Sequence, residues 1–303
     1  SKPYSLERLR AVDADVRFKG KSIVDPQMPL DTVAFILKLR DGKLVMAPLD
    51  FGVAGGHVTS HVILDASHDI IHTQVDATAK NLEVKALLPK LKEGQGSAGK
   101  LGGRAKLSTK GNYIAQMAGS ANGELGLIMS QGRVSTLALV LTNLDLANAA
   151  KYLLGGNLNS PVYCAVTHAS MRDGQLVPDI FVIDTSEENI TGDGSIDFKD
   201  ERYKLRLVAH SKRASLVALR GPIRIAGTFK DPQIGPEIGP VLARVGAAVA
   251  LGAILTPAAS LLVLVDSGGA KDSNCAALIG QTRKEVANTP VAPPKTPATA
   301  SAG

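Results

Sequence analysis

Arg40-Asp41-Gly42-Lys43-Leu44-Val45 recurs as Arg172-Asp173-Gly174-Gln175-Leu176-Val177. Each hexapeptide sets an Asp-Gly turn between alternating apolar runs, which is a strong hairpin signal. Keeping the register without gaps carries the match outward. Val58 meets Ile190, Leu64 meets Ile196, Asp65 meets Asp197, Ile71 meets Tyr203, Val75 meets Leu207 and Ala77 meets Ala209. The competing explanation is two unrelated hairpins that share a common turn. Apolar parity holds well beyond the turn, which favours two copies of one multi-strand unit stacked along a sheet.

Outward from the hairpins the same period continues. Val12, Ala14, Val16 and Phe18 are separated by Asp13, Asp15 and Arg17, and Val33, Phe35, Leu37 and Leu39 follow suit. This is the period of half-buried strands, punctuated at Gly55-Gly56 and at 66–69. Strands so spaced, without helices between them, predict an antiparallel meander. The sequence divides into a first β unit at 1–80, a helical and Gly-rich connector with strands at 81–156, and a second β unit at 157–232. Apolar C-terminal helices at 233–287 and a disordered Pro/Ala/Thr tail at 288–303 follow. Asn81–Lys92 reads as a short helix disturbed by Pro89. Ser135–Leu154 reads as a helix that starts at a Ser/Thr cap and stops at Gly155-Gly156. Residues 240–265 carry one charge, Arg244, and read as two short apolar helices broken near Pro257. They are long enough to span a bilayer on paper, but capping an apolar groove or lying in a membrane interface fits their Gly and Pro better.

The chain has 303 residues, 45% apolar and 4% aromatic, with no Trp and a net charge of +6. So few aromatics argue against a stacking platform for single-stranded nucleic acid, and the basic excess is too dispersed to indicate a nucleic-acid partner. An anionic lipid surface suits it better. The start at Ser1 shows no apolar leader, and we expect a fragment or processed form whose targeting segment lies upstream. Cys164 and Cys275 alone allow a long-range disulfide or two buried thiols equally well.

Candidate chemistry is sparse. Gly94–Lys100 spells both GxGxxG and GxxxxGK, but Leu101 stands where magnesium needs Ser or Thr, and no apolar strand precedes it. His57 and His61 share a parity and a turn at 65–69 can bring His72 alongside, yet no Cys or paired carboxylate joins them at ligand spacing, so no metal is expected. No nucleophile motif is present, and Asp13, Asp15, Asp184, Asp193 and Asp197 fall where solvated carboxylates are ordinary. We expect no enzyme and no cofactor. What remains is the apolar face. Pattern alone leaves open a closed sandwich or barrel with an ordinary core, which it favours, and a trough that stays apolar inside.

Several runs resemble the carboxy-terminal part of the AsmA family. They are VDADVRFKGKSIVDPQMPLD at 12–31, LRDGKLVMAPLDFGVAGGHV at 39–58 and GSANGELGLIMSQGRVS at 119–135. PVYCAVTHASMRDG at 161–174, ITGDGSIDFKDERYKLRL at 190–207 and DSNCAALI at 272–279 complete the set. His57 and His61 depart from the pattern, and nothing after Glu285 carries it. The resemblance implies a Gram-negative envelope protein in the periplasm, tethered to the inner membrane by a helix upstream of Ser1. It implies repeated β-groove units that conduct phospholipid toward the outer membrane, and it moves the trough ahead of the sandwich. The fold class expected is therefore mainly β. A long curved antiparallel sheet would form an open apolar groove, with a few short helices and an apolar C-terminal helical segment. The resemblance also implies a disulfide between Cys164 and Cys275, tying the last helix back to the sheet.

On this reading the partners are phospholipid and membrane, with any protein partner unidentified. The residues expected to line the groove are Val12, Val16, Phe18, Val58, Val62, Leu64, Ile71, Val75, Ile190, Ile196, Leu205, Leu207, Ile223, Ile225 and Phe229; an ordinary core is their bland alternative. Arg17, Lys19, Lys204 and Arg206 have the opposite parity and are expected on a solvated face. The alternative function is a periplasmic scaffold that assists outer-membrane protein assembly through its sheet edge.

Overall fold

A computed structural model describes residues 3–21, 30–87, 98–135, 159–213, 222–237, 239 and 268–288. Its described residues form one antiparallel sheet of fourteen strands. The first six are β1 (Ala14–Gly20), β2 (Leu30–Arg40), β3 (Lys43–Val53), β4 (Gly56–Asp65), β5 (His72–Glu83) and β6 (Ala98–Lys110). β7 (Asn122–Met129), β8 (Gly132–Ser135), β9 (Asn159–Arg172) and β10 (Gln175–Thr185) come next. β11 (Glu188–Asp197), β12 (Arg202–Ser211), β13 (Ile223–Thr228) and β14 (Pro232–Pro236) complete it. Neighbours in sequence are neighbours in the sheet, except that short β8 pairs β6 and β9 beside β7. Four helices are described: α1 (Leu6–Ala11), α2 (Val84–Leu87), α3 (Ile114–Ala118) and α4 (Cys275–Asn288). None of them is long and apolar enough to cross a membrane.

The internal repeat is visible bond by bond. Both Asp-Gly turns place two residues at positive φ, 48° and 75° at Asp41-Gly42 and 47° and 80° at Asp173-Gly174. That is the turn whose twist matches paired strands. The Ala66 N–H donates to the Gly42 carbonyl at 2.9 Å, and the Phe198 N–H donates to the Gly174 carbonyl at 2.9 Å. One position on, the Ser67 N–H donates to Asp65 Oδ1 at 3.0 Å, and the Lys199 N–H to Asp197 Oδ1 at 2.9 Å. β3 matches β10 in length, and β4 matches β11, at corresponding positions. A short helix and a strand precede each series, α1 with β1 and α3 with β7.

Bulges also recur. On β3, Ala47 and Pro48 together oppose Ile36 of β2 and His61 of β4. On β10 the register against β9 shifts between Pro178 and Ile180, leaving Asp179 as the extra residue at the corresponding place. Each bulge changes the parity along its own strand, a change that simple alternation does not reveal.

Some expectations need correction. Asn81–Glu83 are strand, not helix, because they pair with β6 across a bulge at Lys80-Asn81; only Val84–Leu87 are helical there. The rest of the expected 81–92 helix lies outside the described residues. Ser135 ends strand β8, paired to Asn159. The remainder of 135–154, the 240–265 run and the tail from 289 also lie outside the described residues.

The turn makes a direct prediction. A Cβ on Gly174 would sit at positive φ and 2.5 Å from the Gly119 carbonyl oxygen. Gly174→Ala therefore lowers stability by about 2 kcal/mol. Urea unfolding followed by circular dichroism measures this; an unchanged midpoint would contradict the turn geometry.

Candidate functional site

Because side chains alternate across a strand, the ladder register assigns each to one of two faces. One row can be followed across twelve strands. Val16 pairs Leu37, Leu37 pairs Met46, Met46 pairs Val62, and Val62 pairs Val75. Val75 pairs Leu107, Leu107 pairs Gly123, and Gly123 pairs Met171. Met171 pairs Leu176, Leu176 pairs Ile196, Ile196 pairs Tyr203, and Tyr203 pairs Gly227. Apart from the Tyr203 hydroxyl, no polar side chain interrupts it. At about 4.8 Å per strand the row extends about 50 Å. Most of its members are half-buried, shielded by neighbours on the same face.

Val16, Phe18, Val58, Val62, Leu64, Val75, Ile190, Ile196, Leu205, Leu207, Ile223 and Ile225 all stand on this face by register. Three expected lining residues do not belong to its strands. Val12 lies between α1 and β1 and is 52% exposed. Ile71 precedes β5 and is wholly buried; its N–H donates to Asn112 Oδ1 and its carbonyl accepts from the Gly111 N–H. It has no surface to offer a guest, because the connection at 111–112 closes over it. Phe229 follows β13 and packs against Phe198 and Tyr203, with ring centroids 5.5 and 4.8 Å away. At the β1 end Phe18 stacks on Phe35 at 5.3 Å.

Both faces carry buried side chains: Leu39, Leu82, Met129, Ala169, Met171, Ile190 and Ile223 on the row face, and on the opposite face the residues under α4. Cys164 and Cys275 form a disulfide that places the start of α4 on β9. Its loop of 111 residues makes it worth about 4–5 kcal/mol in the chain-entropy account. Farther along, Thr282 and Val286 pack on Gly126, where an added Cβ would lie 2.8 and 3.0 Å from their methyl carbons. Glycine is what lets the helix approach so closely. Cys164, Val166, Thr282 and Val286 are among the most deeply buried side chains. Buried His168 on β9 faces Glu124 of β7, Asp179 of β10 and Glu285 of α4, all within 3.4 Å. It joins three elements to one ring.

Beside the disulfide, Lys212 Nζ lies 2.6 Å from wholly buried Asp184 and 2.5 Å from Asp272. The Ser273 N–H donates to the other Asp184 oxygen at 2.9 Å. Burial pulls the Lys212 pKa down, but the hydrogen bonds and charges of Asp184 and Asp272 outweigh it and leave it raised. Sequence reasoning missed this arrangement. The available signal was β9, where Cys164 and Val166 are as apolar as Ala165, Ala169 and Met171. A strand apolar on both faces is covered on both, or is covered on one and carries cargo on the other.

Arg17, Lys19, Lys204 and Arg206 share this second face by register, as expected. Arg206 pairs Asp193 at 3.7 Å and Glu237 at 3.3 Å. His57, His61 and His72 share it too. Among the described residues no group of His, Cys, Asp and Glu has a geometry that could hold a metal.

The AsmA family model matches residues 1–181. The chain is 32% identical over 282 residues to the AsmA family protein YhjG of Escherichia coli (strain K12), covering 93% of this chain. It spans about two fifths (41%) of that relative's length. No solved structure matches the chain.

Asp184 and Lys212 give the second prediction. Asp184→Asn leaves a buried ammonium poorly compensated and costs about 3–5 kcal/mol. Since the Lys212 pKa is raised on folding, the difference between wild type and variant is fully present below about 10.5. It shrinks as pH rises through the folded value. Denaturant titrations from pH 7 to 12 measure it; a gap that grows with alkalinity would contradict the pairing.

Proposed function

The chain belongs to the AsmA family, and on that footing we propose that it is a non-enzymatic envelope protein whose apolar sheet face shields phospholipid acyl chains between the inner and outer membranes. The observation that carries this reading is the unbroken row from Val16 to Gly227. Among the described residues the long helix packs on the reverse face, leaving the row side half-exposed. Exposing an acyl chain to water costs about 0.8 kcal/mol per CH₂, on the order of 11 kcal/mol for fourteen carbons. A continuous apolar strip removes most of that barrier at each step, while the headgroup stays in water. Because the strip is crossed strand by strand, each hairpin adds about 10 Å of path.

The reading places the working protein in the periplasm, held at the inner membrane by a segment outside this chain. The second reading is a scaffold for outer-membrane protein assembly. It is favoured by the two sheet edges, where Phe18 of β1 is 50% exposed and Ile234 of β14 is 67% exposed. An edge strand with apolar side chains is a template for another strand.

Lipid extraction of the purified chain followed by mass spectrometry separates the two. The conduit predicts co-purified phospholipid, with Val62→Asp and Leu207→Asp each lowering its amount several-fold while the fold persists. A charge in the strip must be desolvated by every passing chain. Protein free of lipid, or lipid content unmoved by both variants, would contradict the conduit.

A further inference from the structure

A cavity of about 630 Å³ opens on the reverse face, between α4 and strands β5, β6 and β7. That volume is in the range of small-molecule sites. Its wall carries Lys80, Lys100, Arg104 and Arg283, and no carboxylate residue. Two neighbouring acids are engaged elsewhere. Asp76 takes both Arg104 Nε at 3.0 Å and Nη2 at 2.7 Å. The carboxyl of Glu83 lies over Gly55, at the β3–β4 turn. Lys80, Lys100 and Arg283 thus leave an excess of positive charge around the opening.

Two further observations point to a ligand. Thr282 stands on the cavity wall, is 1% exposed, and its hydroxyl has no hydrogen-bond partner among the described residues. Buried hydroxyls are nearly always paired. Second, the β5 bulge at Lys80-Asn81, with Asn81 at φ 58°, turns the strand exactly where it meets the cavity. Bulges that re-aim side chains are common beside binding sites. Ile128 and Val286 add an apolar side to the same wall.

We propose that this cavity binds a ligand bearing a phosphate group. Lys80, Lys100 and Arg283 hold the anion, and the apolar side receives whatever non-polar moiety the phosphate carries. Arg104, neutralised by Asp76, fixes the floor rather than the charge. The site lies on the face opposite the acyl strip and stands whether or not that strip carries lipid. The phosphate has two sources, a lipid headgroup or a free phosphate, and the chemistry of recognition is the same for both.

Calorimetric titration of the oxidised chain with inorganic phosphate, and separately with a short-chain phosphatidic acid below its micelle concentration, tests it. Saturable binding of either probe is expected, weakened about tenfold or more in Lys100→Gln/Arg283→Gln. Both side chains are exposed, so this variant retains the fold. Binding of phosphatidic acid alone assigns the site to a headgroup; binding of both assigns it to phosphate itself. Val62→Asp leaves the binding of inorganic phosphate unchanged, which separates the site from the acyl strip. Binding of neither probe, or affinity indifferent to the double substitution, overturns the proposal.

Discussion

Everything in this molecule depends on phase. In an antiparallel ladder a slip of one residue sends every side chain of a strand to the other face. Fourteen strands would scramble the two faces unless each kept step with the last. The row from Val16 to Gly227 shows that they do. They do so even where the sequence itself changes step. Leu44 and Met46 share a face with Leu49 and Phe51 only because the bulge at Ala47-Pro48 absorbs one residue. Leu176 and Pro178 share it with Phe181 and Ile183 through the bulge at Asp179.

Phase was therefore the legible part. The Asp-Gly hairpins, the copy of one unit in the other and the shared parity of Val58, Val62, Leu64 and Val75 follow from period and turn chemistry alone. The bulges were not legible, because a bulge breaks the very alternation that reveals a strand. Lys80-Asn81 illustrates this: polar residues before a helical pattern read as a helix start, and only the partner strand shows that the sheet continues through Glu83. The reverse-face core was also hidden. His168 sits in a strand whose sequence gives no sign of three carboxylates from β7, β10 and α4, since those contacts are set by where the helix docks. The disulfide followed from family resemblance, not from spacing.

The two faces are stabilised by different physics. The reverse face holds the sheet's only long described helix with a covalent bond, a close approach at Gly126, the ion pairs of Lys212, and the contacts of His168 with three carboxylate residues. Those contacts fix the middle of the sheet. A surface that is greasy and continuous is suited to transient guests.

Because the chain contains no Trp, a single introduced Trp reports its own surroundings. Val62→Trp and Ile63→Trp place the probe on opposite faces of β4. Titration with phospholipid brominated on its acyl chains is the most direct measurement. The account predicts strong quenching at position 62 and little at 63. Equal quenching at both positions, or none at 62, would contradict the assignment of the acyl path to this face.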